Sequence, residues 1–249
     1  MNRVQSVDRA FLILERIATS DLGLTEIADE VDLPKSTVAR LLHTLASIGA
    51  VDRVGSDGTY RIGDAVRGLV AATPTVADFA RHARPYMRTL AQDVGEDAGV
   101  SVPVTTGMHY VAQENADNAV VVEDWTGTVA PFHVVPAGLV VLAWSTDARV
   151  DRVLKGPLVA PTAASITDPE AIRDRLSAIR RDGYSWVYGE FVEELNSVAA
   201  PVFGMSGLIG SIGIHGPSYR FPKPGRAEAV AAQVVDVASK LSEAHQRAR

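Results

Sequence analysis

The sequence has no cysteine, no long apolar segment and, over one helix-length window, no acidic residue. Without cysteine the chain has no disulfides, no thiolate metal sites and no cysteine nucleophile. No apolar run approaches the roughly 18 residues that span a bilayer. Asp8 and Glu15 interrupt the apolar pattern at the N-terminus, so we expect no signal peptide. These absences favour a cytoplasmic protein that does not contact membranes.

The window without acidic residues is "LPKSTVARLLHTLASIGAV", residues 33–51, in a chain whose net charge is -6. The segment just before it carries Glu26, Asp29, Glu30 and Asp32. A solvated helix face usually mixes acids with bases, which pair at four-residue spacing. A helix that approaches phosphate groups has no place for acids. We interpret the window as a helix that binds a polyanion; the alternative is an ordinary solvated helix in a small bundle.

Apolar residues at three- and four-residue steps predict three helices at the start of the chain. Ser6 and Thr25 are the expected caps of the first two helices. The predicted buried stripes are Val7, Ala10, Phe11, Leu14, Ile17 and Ala18; Leu24, Ile27, Ala28 and Val31; and Val38, Leu41, Leu42, Leu45 and Ile48. Two short strands, residues 51–54 and 59–62, flank an Asp57-Gly58 pair that is typical of a hairpin. Three helices and a hairpin predict a winged helix-turn-helix domain.

In that arrangement the third helix enters the major groove of double-stranded DNA and the hairpin lies along the DNA backbone. The side chains on the outer face of the helix are short, hydrogen-bonding or cationic. The expected DNA-binding residues are Lys35, Ser36, Thr37, Arg40, His43, Thr44, Arg53, Tyr60 and Arg61. Residues 1–62 hold seven bases and nine acids, a net charge of -2. The spatial segregation of charge therefore predicts DNA binding, and non-specific affinity should be modest and salt-sensitive.

The sequence pattern changes along the chain from helical periodicity to a mixture of strand-like and helix-like runs, which predicts further domains. We divide the chain into a winged helix-turn-helix domain at 1–63, a linker helix at 64–80 and a second domain at 81–249. Strand-like runs occupy residues 97–104, 108–115, 119–125, 196–203 and 208–215, and helices are expected from Pro136, Asp168 and Ala227. Strands mixed with helices predict an α+β domain with an antiparallel sheet covered by helices.

The last predicted strand, residues 208–215, has two different faces. One face is an ordinary core face; the other holds Ile209, Ser211, Gly213 and His215. Small residues leave room, and a hydroxyl and an imidazole supply hydrogen-bonding groups, as a pocket for a small polar ligand requires. The alternative is a strand thinned by glycine for close packing, with His215 at its exposed end.

The chain resembles the IclR (isocitrate lyase regulator) family of bacterial transcription factors over nearly its whole length. In the first domain "VQSVDRAFLILERIA", "LTEIADEVDLPKSTVARLLHTLASIGAVDR" and "YRIG" run parallel to the family pattern. In the second, "RRDGYSWVYGE" followed by "LNSVAAPVFGMSGLIGSIGIHGP" resembles the family's signature region. The resemblance implies a GAF-like (profilin-like) effector domain, no enzymatic activity, no cofactor, and dimers or dimers of dimers on pseudo-palindromic operators. It also implies a repressor of a catabolic operon, with an activator as the alternative.

The resemblance also implies where the effector binds. Pro136, Ala137, Ser197, Gly213 and His215 would line the effector cavity, with Glu190 near its mouth.

The chain departs from the family pattern at several of these positions. Leu139 stands where a lysine is common, Ser197 where a cysteine is frequent, and Glu194 at a common glycine position. Gly213 and His215 occupy positions where small hydroxyl residues are frequent. A protonated His215 would favour an anionic ligand, so we expect an organic acid. Trp125 and Phe132 lie nearby in sequence and suggest an aromatic acid.

Two other functions compete with ligand-responsive regulation. An enzyme with an appended DNA-binding domain would draw its catalytic or metal site from His109, His133, His215, Glu123, Asp124 and Glu190. No spacing among these residues resembles H-E-x-x-H, and the sequence has no G-x-S-x-G, so we expect neither catalysis nor a metal. A histidine cluster that binds a metal for structure or sensing is the second alternative. For a regulator, we expect the helices of residues 64–94 to couple effector binding to DNA affinity by about 1–3 kcal/mol.

Overall fold

The computed structural model describes residues 4–55, 58–71, 75–118, 123–205 and 207–247. The chain divides into two compact units, Met1–Pro74 and Thr75–Arg249. Asp57 of the predicted hairpin turn and the first part of the predicted strand at 119–125 lie outside the described residues. Within the described residues, no helix combines the length and the apolar character needed to cross a membrane.

The first unit is a winged helix-turn-helix. Its elements are α1 (Gln5–Ile17), α2 (Leu24–Glu30), α3 (Lys35–Ser47), β1 (Val51–Val54), β2 (Thr59–Ile62) and α4 (Asp64–Ala71). The two strands form an antiparallel hairpin in which Val51 faces Ile62 and Val54 faces Thr59. Gly58 has a positive φ of 72° at the turn, a conformation in which glycine avoids the steric cost of a side chain. The predicted fold of this unit is confirmed.

The buried face of α1 differs from the predicted stripe. Ile13 is fully buried, whereas Val7 and Phe11 are 52% and 62% exposed. Residues at three- and four-residue steps form overlapping stripes, and the period alone does not say which stripe meets α2 and α3. Ile48, expected in the core, is 64% exposed because α3 ends at Ser47 and the chain leaves the helical path there.

Both predicted helix caps are wrong. Helix α1 follows Val4, and no side chain caps it; Ser6 already lies inside the helix. Helix α2 follows Gly23, whose N–H donates to Oε2 of Glu26 at 2.7 Å. The acid three residues into the helix therefore binds the backbone N–H that precedes it, and Thr25 is a first-turn residue rather than a cap.

The second unit is an α+β domain, as predicted. Its helices are α5 (Val76–Val94), α6 (Pro136–Ala143), α7 (Asp147–Leu154), α8 (Pro169–Asp182) and α9 (Ala227–Arg247). Its strands are β3 (Asp97–Pro103), β4 (Met108–Glu114), β5 (Val129–Ala130), β6 (Ser185–Tyr188), β7 (Leu195–Gly204) and β8 (Gly207–Pro217). All neighbours in the six-stranded sheet are antiparallel, in the order β5-β4-β3-β8-β7-β6.

Helices cover both faces of this sheet. One face carries Ile212 and Ile214 and packs against α5 and α9. The opposite face packs against α6, which is buried on all sides, and α8 packs against α6 in turn. Helix α8 begins where Asp168 accepts a hydrogen bond from the N–H of Ala171 at 2.8 Å. Along residues 211–215 of β8, Ser211, Gly213 and His215 face α6 while Ile212 and Ile214 face α5 and α9.

The predicted strand at 119–125 is not a strand over residues 123–125. The backbone N–H of Trp125 donates instead to Oε1 of Gln113 at 3.2 Å. Residues Val129–Ala130, as β5, pair with β4 at this edge, where Ala130 faces Met108.

Candidate functional sites

The outer face of α3 is accessible and free of acids. Val38, Leu42 and Leu45 hold the helix in the core of the first unit. Of the expected DNA-binding residues on α3, Lys35, Ser36, Arg40, His43 and Thr44 are exposed, and Thr37 is half-buried. The hydroxyl of Thr44 donates to the backbone oxygen of Arg40 at 3.1 Å. The structure therefore brings these six side chains to one end and one side of a single helix.

The three expected DNA contacts on the hairpin have different environments. Arg53 is exposed, and its guanidinium lies across Gly58, where an added Cβ would be 2.6 Å from Nη2. Tyr60 packs against the core of the first unit, and its backbone pairs with Leu22. Arg61 is exposed, but Nη2 lies 2.6 Å from Oδ2 of Asp21. Arg53 is therefore the hairpin cation for which the described residues show no carboxylate partner.

A cavity lies between the sheet and the N-terminal end of α6; we call it the sheet–α6 cavity. Its volume is about 50 Å³, and about 600 Å³ when the open solvent at its mouth is counted. Five of the six expected effector-binding residues line it, namely Pro136, Ala137, Ser197, Gly213 and His215. The sixth, Glu190, is not among the lining residues. Mostly apolar walls with a few polar groups are typical of small-molecule sites.

The floor of the sheet–α6 cavity is built by residues in register on β3, β8 and β7. Gly99 faces Gly213, and Gly213 faces Ala199. An added Cβ on Gly213 would lie 2.4 Å from the backbone oxygen of Val198, so glycine is also needed for close packing. Gly213 therefore serves close packing, and the same residue lines the cavity.

His215 is buried beside this floor. It is 8% exposed, and Nε2 has no hydrogen-bond partner among the described residues. Burial lowers the pKa of His215 from 6.5 to about 4, and the nearby negative charge of Asp124 opposes that shift only in part. The imidazole is therefore neutral at neutral pH, and it does not lie at an exposed strand end.

Two hydroxyls lie at the other end of the floor. The Oγ atoms of Ser101 and Ser211 are 2.9 Å apart, and both residues are 1% exposed. They are 110 positions apart in sequence and meet because β3 pairs with β8. Ser211 belonged to the predicted pocket face, whereas the contribution of Ser101 was missed because nothing in the local sequence indicates this pairing.

Aromatic side chains form the outer wall of the sheet–α6 cavity. The rings of Trp125 and Phe191 have centroids 5.6 Å apart, and both residues line the cavity. Tyr110 also lines it, and burial raises the pKa of its phenol. Phe132, expected nearby from sequence, packs instead in the core around α6, where the guanidinium of Arg149 lies 5.3 Å from its ring centroid.

Glu190 supports the cavity wall from behind. Its Oε2 accepts a hydrogen bond from Nη1 of Arg175 at 2.8 Å, and both side chains are largely buried. Arg175 also donates to the backbone oxygen of Trp186, and the hydroxyl of Ser165 donates to the backbone oxygen of Glu190 at 2.7 Å. These contacts fix the segment that carries Phe191.

The residues considered for catalysis do not form a metal site among the described residues. Within the part of the chain that the structure describes, no group of three or more His, Asp or Glu side chains is placed to hold a metal. His133 is buried in the core, and its Nε2 lies 2.8 Å from the backbone oxygen of Val159. Of the three histidines considered, only His215 lines the sheet–α6 cavity.

A winged helix-turn-helix with an acid-free recognition face, joined in one chain to an α+β domain that holds a mostly apolar cavity with a few polar groups, defines a ligand-responsive DNA-binding regulator. The chain matches the family model described as bacterial transcriptional regulator IclR C-terminal over residues 71–243, and the IclR helix-turn-helix domain over residues 6–55. It belongs to the IclR family of transcriptional regulators, which bind DNA and are not enzymes. The prediction of a regulator without catalytic activity is confirmed.

Relatives of known assignment cover most of the chain. The HTH-type transcriptional regulator BhcR of Paracoccus denitrificans is 29% identical over 242 residues, 96% of this chain and 86% of that protein. The transcriptional repressor IclR of Escherichia coli is 30% identical over 207 residues, 81% of this chain and 75% of that protein. At 96% coverage, the first similarity includes both the helix-turn-helix unit and the cavity-bearing unit.

Solved structures share the fold. An IclR transcriptional regulator from Silicibacter sp. has a TM-score of 0.66 at 29% identity, covering 96% of this chain and 95% of that one. An IclR homologue from Microbacterium hydrocarbonoxydans, crystallised in complex with 4-hydroxybenzoate, has a TM-score of 0.62 at 22% identity, covering 96% and 98%. At that identity the second structure supports the fold alone.

Proposed function

We propose that this regulator represses an operon for the catabolism of a small organic acid, and that the acid, bound in the sheet–α6 cavity, changes the affinity for the operator. One observation carries the proposal: the same chain has an exposed, acid-free α3 face and a cavity with a buried imidazole, whose Nε2 has no hydrogen-bond partner within the part of the chain that the structure describes. The repressor assignment is supported by the E. coli relative, which is named a transcriptional repressor.

For DNA recognition, α3 supplies two kinds of contact. Lys35, Ser36 and Thr37 lie in its first turn, where the positive end of the helix dipole and the N–H groups of Lys35 and Ser36 attract phosphate oxygens. Arg40, His43 and Thr44 lie further along the exposed face and meet base edges or phosphates in the major groove. On the hairpin, Arg53 contacts the DNA backbone. Tyr60 and Arg61 hold the hairpin in position through their contacts within the first unit.

For effector recognition, the cavity offers a carboxylate hydrogen-bonding groups on two opposite sides. Helix α6 begins at Pro136, so the N–H of Ala137 lies in a first turn that has no preceding helical acceptor. On the opposite side lie His215, Ser197 and the space that Gly213 leaves because it has no side chain. The M. hydrocarbonoxydans homologue was crystallised in complex with 4-hydroxybenzoate, which is an aromatic carboxylic acid.

For assembly and location, we expect a homodimer, or a dimer of dimers, on a pseudo-palindromic operator in the cytoplasm. A dimer with two-fold symmetry matches an operator with two-fold symmetry because each helix-turn-helix domain binds one half-site. Effector binding is coupled to DNA through α4 and α5, which adjoin the boundary between the two units in sequence. We propose a functional division into a DNA-binding domain at 1–63, a linker helix at 64–80 and an effector-binding domain at 81–249.

Selection of DNA from a random-sequence library by the full chain tests this proposal. We expect enrichment of two inverted half-sites whose centres are about 10 base pairs, or a multiple, apart. Transcription in vitro from a promoter that carries the selected site then separates a repressor from an activator, since only a repressor lowers the transcript yield. A library that shows no sequence enrichment would contradict operator recognition.

A further inference from the structure

We propose that the sheet–α6 cavity binds its carboxylate effector together with one proton, and that His215 carries this proton in the complex. The inference rests on the proposed organic-acid effector and adds the chemistry by which the site accepts it. It predicts a regulator whose response depends jointly on the effector and on pH.

The first observation is the position of His215. Its neighbours in register are Asp97 on β3 and Ser197 on β7, and residues that face each other across strands share one side of a sheet. That side is the one that lines the cavity. His215 is 8% exposed, and its Nε2 lacks a hydrogen-bond partner among the described residues. An unpartnered, buried ring nitrogen beside a cavity requires a group from the ligand or from water.

The second observation is the charge around that nitrogen. Among the described residues that line the cavity there is no arginine and no lysine. The titratable groups around His215 are Asp97 on β3, Tyr110 on β4 and Asp124 in the segment before β5. The Oδ1 of Asp97 accepts the N–H of Ala116 at 2.8 Å, and Asp124 accepts the N–H of Thr126 at 2.9 Å. None of these groups supplies positive charge.

A buried carboxylate without a counter-charge is strongly unfavourable, and two carboxyl groups nearby make it worse. His215 is the one lining residue within the described part of the chain that can become a cation. A carboxylate placed beside it opposes the effect of burial and raises the pKa of the imidazole. Between the low pKa of the empty site and the raised pKa of the complex, each ligand therefore binds with uptake of one proton.

The sign of the pH dependence follows from this uptake. Binding that consumes a proton becomes tighter as the pH falls, by up to about tenfold per pH unit, until the ligand itself is protonated. A member with hydroxyls in place of His215 has no such group in the cavity. The proton linkage is thus a property of this chain's own imidazole.

The test uses the full chain and four acids, acetate, butyrate, benzoate and 4-hydroxybenzoate, each paired with its neutral amide. Thermal shift at about pH 6 selects the binders, and calorimetry in two buffers of different ionisation enthalpy counts protons at about pH 5.5, 6.5 and 7.5. We expect an acid to bind with close to one proton taken up and to weaken about tenfold per pH unit as the pH rises. His215→Ser should abolish the uptake, and His109→Ser, a histidine outside the cavity, should keep it.

The outcomes separate the inference from the proposed function. Acid binding with no proton uptake and no pH dependence overturns the inference and leaves the organic-acid effector standing. Binding of an amide without its acid overturns the inference and the acidic effector, but leaves small-molecule regulation. If none of the eight compounds binds, the organic-acid effector fails and the inference with it. The proton count on the parent chain is decisive even where His215→Ser does not fold.

Discussion

Nη2 of Arg61 lies 2.6 Å from Oδ2 of Asp21, so that the hairpin of the first unit is joined by an ion pair to the segment between α1 and α2. Both side chains are nearly half exposed, and the pair should contribute about 1 kcal/mol or less to stability. Its larger effect is on DNA, because Asp21 neutralises a cation that would otherwise be available to a phosphate.

Replacing Asp21 by Asn should release Arg61 for DNA. We expect tighter non-specific binding and a plot of log affinity against log salt that is steeper by about 0.9, the value for one additional phosphate contact. Fluorescence anisotropy across a salt series measures this slope. Asp29→Asn removes the same charge from an exposed position on α2 and is the matched control. Equal slopes for the two variants would show that Arg61 gains no contact.

Arg40→Ala should weaken specific operator binding without unfolding the first unit. The side chain is exposed on α3, and loss of a base or phosphate contact should cost about 1–3 kcal/mol. Competition binding against the selected operator gives the loss, and circular dichroism checks the helices. Arg152→Ala, an exposed arginine on α7, should bind as the parent does. An Arg40→Ala variant with the parent's affinity would mean that the reading face is assigned wrongly.

Glu190→Ala should destabilise the second unit. The Arg175–Glu190 pair is largely buried. Removal of Glu190 leaves the charge of Arg175 buried without a counter-charge, which should lower the free energy of unfolding by about 3 kcal/mol or more. All three tryptophans, at 125, 144 and 186, belong to this unit, so their fluorescence follows its unfolding in urea.

The control for Glu190→Ala is Asp151→Ala, which breaks the exposed pair with Arg173 and should cost about 1 kcal/mol or less. Similar urea midpoints for the two variants would contradict a structural role for the buried pair. Because Glu190 fixes the segment that carries Phe191, we also expect its removal to weaken effector binding.

The stability of the second unit should fall as the pH falls below neutrality. Burial lowers the pKa of His215 from 6.5 to about 4, so between these values the unfolded chain binds a proton that the folded chain does not. The stabilising effect of the neutral ring is present above about pH 6.5 and is lost toward pH 4, by roughly 2 kcal/mol between pH 7 and pH 5.

Urea unfolding followed by tryptophan fluorescence at the two pH values measures this loss. His215→Ser should be less sensitive to pH than the parent by that amount, because all other titrating groups are shared. An equal pH dependence in the two proteins would show that His215 is not held neutral in the folded state.

The features that the sequence predicted well are local. The acid-free face of α3, the hairpin at Val51–Val54 and Thr59–Ile62, and the cap of α8 at Asp168 each depend on residues within one or two turns of each other. The alternation along β8 likewise placed Ser211, Gly213 and His215 on one face, because side chains in a strand alternate with a period of two. Ile209, predicted for the same face, packs instead against the core on the α5 side, next to the register shift between β7 and β8 at Val202/Phe203.

The features that the sequence did not predict depend on tertiary packing. Ser101 meets Ser211, and Asp21 meets Arg61, only because of strand pairing and helix packing between distant segments. The low pKa of His215 is also a tertiary effect, since burial by neighbouring strands removes the water that would stabilise the charged ring. The sequence predicted that a protonated His215 would favour an anionic ligand; because the ring of the empty cavity is neutral at neutral pH, we propose that the proton is taken up together with the ligand.

The affinity of the full chain for its selected operator, measured with and without an acid that binds the sheet–α6 cavity, tests the central claim most directly. The account predicts a change of about 5- to 150-fold, which corresponds to a coupling of about 1–3 kcal/mol between the two sites. An unchanged operator affinity with every acid that stabilises the second unit would contradict it.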